Sequence, residues 1–85
     1  MITTILTFLI AIGFTQTFDI NVEYDPDMGN VRGLGTYEEN NNVILEAKPN
    51  DNYKFVGWYE NDKLIDDTNK LEFNATNNRD LEARI

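Results

Sequence analysis

Tyr53-Lys54-Phe55-Val56-Gly57-Trp58-Tyr59 is the stretch whose reading decides the fold. It holds the single tryptophan, two of the 4 tyrosines and one of the 5 phenylalanines. Large aromatics bury more apolar area per residue than any other side chain, so a small domain with one such cluster builds its core there. Read as a strand from Tyr53 to Glu60, strict alternation puts Phe55, Gly57 and Tyr59 on one face and Val56 and Trp58 on the other. Both faces are then apolar. That pattern predicts a central strand, or a bulge at Gly57 that lets Phe55 and Trp58 both face inward. Trp58 beside Phe55 reads as core, with Tyr59 open as a contact residue.

Working outward, the flanking segments repeat a period of two. Phe18, Ile20, Val22 and Tyr24 alternate with Asp19, Asn21 and Glu23. Val43, Leu45 and Ala47 alternate with Ile44, Glu46 and Lys48, and Pro49 ends the run. Leu71, Phe73 and Ala75 form another inward row, and Leu81, Ala83 and Ile85 the last, with Asp80, Glu82 and Arg84 outward. Between them lie turn signals: Asp25-Pro26-Asp27-Met28-Gly29-Asn30, Glu38-Glu39-Asn40-Asn41-Asn42, Asn50-Asp51-Asn52, Asn61-Asp62-Lys63 and Asp66 to Lys70. Asn61-Asp62-Lys63 reads as a tight hairpin leading to a short Leu64-Ile65 strand. Nothing after residue 16 shows a helical period of useful length. The expected class is all-β or β-rich: a small antiparallel module, β-grasp-like or a compact sandwich, with at most one short helix, over residues 17–85.

Residues 1–16 stand apart, since every charge in the chain falls between Asp19 and Arg84. The apolar run Ile5–Phe14 has the length of a signal-peptide hydrophobic region, and Ala11-Ile12-Gly13 offers small residues at a cleavage site. No Lys or Arg precedes it, and the alternative is an extra packed element of the domain. At about 1.5 Å of helix rise per residue, Ile2–Phe14 falls short of the roughly 30 Å hydrocarbon core, so membrane insertion is not expected.

Composition removes several chemistries. The 85 residues include no cysteine, histidine or serine, so Ser-His-Asp, Cys-His and histidine–metal arrangements cannot be assembled. A net charge of −8, from 15 acidic and 7 basic residues, repels nucleic-acid phosphates. The acidic pairs Glu38-Glu39 and Asp66-Asp67 invite a glycosidase reading, but neighbours on turns are ordinarily solvated. Asp25, Asp27 and Asn30 lack the spacing of a calcium loop. Gly33-Leu34-Gly35 is not completed to a dinucleotide fingerprint and reads as a bend in a β element. The expectation is a non-enzymatic domain without cofactor or metal.

The ordered pieces Gly33-Leu34-Gly35-Thr36-Tyr37, Val43 to Pro49, Asn52 to Tyr59, Leu71 to Ala75 and Leu81 to Ile85 resemble the divergent B-repeat family of bacterial surface proteins. That family is related to the B-repeats of listerial internalins. The family pattern carries Gly where Asn52 stands and aromatics where Leu71 and Ile85 stand. The resemblance covers residues 17–85 and implies a β module of a secreted or cell-surface protein, with a neighbouring repeat or another protein as partner. The residues expected in the structural core are Phe55, Gly57, Trp58, Leu45, Phe73 and Leu81, and the aromatics Tyr37 and Tyr59 are candidate contacts. Two alternatives stay open. One is a cytoplasmic acidic inhibitor that presents Asp19, Glu23, Glu46, Glu72 and Glu82 to a basic protein surface. The other is a glycan-binding module that stacks sugars on exposed aromatics.

Overall fold

A computed structural model describes residues 15–85, and the expectations for the apolar N-terminal run lie outside those residues but for Thr15 and Gln16. Eight strands follow one another: β1 (Thr17–Glu23), β2 (Gly29–Arg32), β3 (Gly35–Glu38), β4 (Asn42–Pro49), β5 (Gly57–Glu60), β6 (Lys63–Asp66), β7 (Lys70–Asn74) and β8 (Arg79–Arg84). No helix occurs among the described residues. The class is all-β.

The strands form a five-stranded sheet, in the order β3-β1-β8-β5-β6, and a three-stranded sheet, β2-β4-β7. Every pairing is antiparallel except that of β1 with β8, which run parallel in the interior of the larger sheet. The arrangement unites both expected descriptions: two packed sheets make a sandwich, and parallel first and last strands side by side are a β-grasp trait.

Alternation drives the packing. Val43, Leu45 and Ala47 of β4 meet Val31 of β2 and Leu71 and Phe73 of β7 on one inner face. Ile20, Leu81, Ala83 and Trp58 supply the other. Trp58, Ile20, Leu45 and Val43 are fully buried, and no polar or charged residue is. Each buried Val, Leu or Ile contributes about 1.5–3 kcal/mol. Around this centre pack the half-buried Phe18, Val22, Tyr24, Tyr37, Phe55, Leu71 and Phe73.

Two local readings differ from the structure. The aromatic strand begins at Gly57 rather than Tyr53, and Asn50–Val56 crosses between the sheets outside any ladder. Asn52 there takes a left-handed φ of 72°. Trp58 points inward by ordinary alternation, and Phe55 reaches it from the crossing segment. The bulge lies not at Gly57 but in β6, where the register with β5 shifts between Trp58 and Tyr59. Second, the turn after β1 is confined to Pro26–Met28, and Gly29 and Asn30 already pair with Pro49 and Lys48. The expected glycine bend is present: Gly33-Leu34 turns the chain from β2 in one sheet to β3 in the other. Gly33 has φ 101°, and a Cβ there would run into the carbonyl of Ile44. Only glycine fits that corner.

Candidate functional site

The indole of Trp58 is enclosed between the sheets, and its Nε1 donates to the carbonyl of Thr68 at 2.8 Å. Phe55 packs beside it with ring centroids 5.2 Å apart and planes tilted by 57°. Thr68 is itself fixed, because its N–H and Oγ1 both donate to Asp66 Oδ1 at 2.7 Å. These bonds hold the Asp66 carboxyl below its ordinary pKa. Asp66 is therefore a loop clamp beneath the tryptophan, and its neighbour Asp67 is exposed. Leu45 and Leu81 lie in the buried cluster and Phe73 at its margin; Gly57 is buried under Leu64.

The two candidate contact tyrosines are both half-buried. Tyr37 packs against the core and its hydroxyl donates to the carbonyl of Gly33. Tyr59 lies on the outer face of the larger sheet, with the Arg84 guanidinium 3.7 Å above its ring centroid. Arg84 also donates to Glu82 at 2.9 Å and Asp62 at 3.0 Å, which raises its pKa. One face of the Tyr59 ring is thus occupied by a cation. Tyr53, in the crossing segment, is exposed.

A second arginine was not singled out by pattern. Arg79 holds Glu60 by two bonds, Nε to Oε2 at 3.0 Å and an Nη to Oε1 at 2.6 Å, while stacking 4.5 Å over Phe73. The bonds from Arg79 hold the Glu60 carboxyl below its usual value despite partial burial. Glu60 on β5 and Arg79 on β8 are far apart in sequence, so no local signal reveals the pair.

The acidic residues are sorted by face. Asp19, Glu23 and Glu82 point outward from the larger sheet together with Glu38 and Asp80, and Arg84 is the cation among them. Glu46 and Glu72 lie on the opposite sheet, where Glu46 pairs with Arg32 at 3.0 Å and Glu72 accepts from Asn42 at 2.8 Å. The five carboxylates expected to share a face therefore do not. Asn21, Glu23, Tyr59, Asp80 and Glu82 line a shallow open depression there. No cluster of three or more metal-ligating acidic side chains occurs among the described residues. The site offers contact surfaces: an acidic sheet face, a capped tyrosine and exposed strand edges.

A family model for the divergent InlB B-repeat domain matches residues 20–84, nearly the whole β sandwich. The chain belongs to the divergent InlB B-repeat family. This is a family of repeat modules of bacterial surface proteins. Comparison with curated proteins and with solved structures found no match. The B-repeat match begins at Ile20 and ends at Arg84, so it takes in both members of the parallel β1–β8 pair.

Proposed function

We propose that this B-repeat domain is a non-enzymatic spacer and protein-contact module of a bacterial cell-surface or secreted protein. The observation that carries the reading is the parallel pairing of β1 with β8, in which Ile20 faces Arg79 and Glu23 faces Glu82. Parallel neighbours run the same way, so the chain arrives at one end of the sandwich and departs at the other. At about 3.3 Å per residue, Thr17 and Ile85 are separated by roughly 30 Å along the shared strand direction. A unit with its ends opposed extends a polypeptide in line, whereas an antiparallel pair of terminal strands folds it back.

Small-angle scattering on one, two and three linked copies tests this reading. In-line extension adds roughly 30 Å or more of maximum dimension per copy, in keeping with the strand rise. Copies that fold back, with little growth in length, overturn it. Protease shaving of intact cells tests the location.

A second reading rests on the charge of the larger sheet's outer face. Asp19, Glu23, Glu38, Asp80 and Glu82 with Arg84 alone present a surface suited to a basic protein partner. Binding to such a partner that fades steeply between low and high salt supports it.

A further inference from the structure

The open edge of β6 differs from the other sheet edges. β6 pairs only with β5 and ends the larger sheet. It follows a two-residue turn, Asn61-Asp62, whose φ values of 51° and 63° are those of a type I′ hairpin. In such a hairpin the flanking residues, here the paired Glu60 and Lys63, exchange hydrogen bonds. The N–H and C=O of the next residue, Leu64, then point away from β5 into the open edge. Leu64 and Ile65 are 49% and 39% exposed. The other edge strands expose no large apolar side chain: β2 buries Val31, while β3 half-buries Tyr37 and β7 half-buries Leu71 and Phe73.

Unpaired backbone groups bordered by exposed apolar side chains are completed by another strand. The order of charges along β6 selects which one. Lys63 stands at its start, and Asp66 and Asp67 stand at its end. An antiparallel partner must be acidic opposite Lys63 and basic opposite the aspartates. A second β6, reversed, carries that order when Ile65 lies opposite its own counterpart: Asp67 of each copy then meets Lys63 of the other. Parallel alignment would set like charges together.

We propose that β6 is a self-association edge, on which a second copy of this chain lays its own β6 antiparallel, joining two five-stranded sheets about a two-fold axis. The contact is lateral and does not depend on the module acting as a spacer. An edge this short buries far less than a standard interface, and the net charge of −8 on each copy opposes approach. The dissociation constant is therefore on the order of 1 mM. Raising the salt concentration strengthens the dimer by screening that repulsion.

The test is a concentration series of the full 85-residue chain followed by amide NMR shifts. Shift changes with concentration are expected at residues 62–67. Lys63→Glu weakens the association about fivefold, the combined effect of the two symmetry-related cross-strand charge pairs. Adding Asp67→Lys to it restores the wild-type response. Leu64→Ser abolishes the response while the Trp58 neighbourhood keeps its shifts, which shows an intact fold. Three results overturn the proposal: invariant spectra up to millimolar concentration, changes centred on β3, β7 or residues 1–14, and a charge-swapped double variant no better than Lys63→Glu.

Discussion

Trp58 Nε1 donates to the carbonyl of Thr68, and that one bond ties the buried centre of β5 to the β6–β7 loop, one of those that pass between the two sheets. The loop is itself braced by Asp66, so the indole is fixed at its apolar ring and at its polar nitrogen. A fully buried aromatic whose single donor is satisfied carries large packing energy without a desolvation penalty.

Replacing Trp58 by alanine removes both. Trp58→Ala is expected to cost roughly 3–5 kcal/mol. Set against total stabilities of about 5–15 kcal/mol, that leaves the domain near its threshold. Trp58→Phe keeps much of the volume and leaves the Thr68 carbonyl unpaired, so its loss is smaller. Urea titrations of the three proteins check the order, and a loss below about 1 kcal/mol for the alanine variant contradicts the packing argument.

Gly33 and Gly35 separate two effects of a side chain at the sheet corner. Both have positive φ, 101° and 141°, but only Gly33 lacks room for a Cβ. Gly35→Ala is expected to cost on the order of 1–2 kcal/mol from backbone strain alone. Gly33→Ala adds the collision with Ile44 and costs more. Thermal unfolding midpoints that rank the two in the reverse order refute this account.

Glu60 and Arg79 make the domain's stability depend on acid. The folded pKa of Glu60 lies below its ordinary 4.5, so the unfolded chain takes up the proton first as pH falls. The stabilisation is complete above about 4.5 and is lost as pH drops through the folded value. Both side chains keep part of their solvent contact, so Glu60→Gln is expected to cost only about 1 kcal/mol at neutral pH. Its stability profile should be flatter than the wild type's in the acid range. Parallel profiles of the two proteins through pH 3–5 count against the assignment.

Tyr59 carries the opposite expectation. Its ring lies on an exposed face under Arg84, and such a cation–π contact is worth about 0.5–1 kcal/mol. Tyr59→Leu should therefore lower stability far less than Trp58→Ala. Equal losses in equilibrium unfolding show that Tyr59 is part of the core.

Legibility differed from strand to strand. In β4 and β8 the inward rows Val43, Leu45 and Ala47, and Leu81 and Ala83, stand in the sequence as a strict period of two. One face of each strand is buried, and a one-residue slip would turn the whole row to solvent, so pattern and structure coincide. In β5 the pattern misleads at its start. Tyr53 to Val56 is as apolar as the strand it precedes, yet it crosses between the sheets, and Phe55 packs from the crossing. Hydrophobicity records that a residue is wanted near the core, not whether its backbone is in a ladder. The Glu60–Arg79 clamp, the capping of Tyr59 by Arg84 and the open edge of β6 left no mark, because each depends on which strands are neighbours.

The amino-acid sequence by itself determined that this protein is a β domain of the B-repeat kind, built on alternating rows around a single tryptophan. It also determined which catalytic arrangements the residue types forbid. Side-chain chemistry and a period of two are local properties, written in consecutive residues. Only the tertiary structure decided that β1 and β8 run parallel and that the acidic residues divide between two faces. The same holds for β6, left open while β1, β8 and β5 are paired on both sides. Those are relations between segments distant in the chain, set by the joint packing of two sheets about Trp58, and no one strand encodes its neighbours.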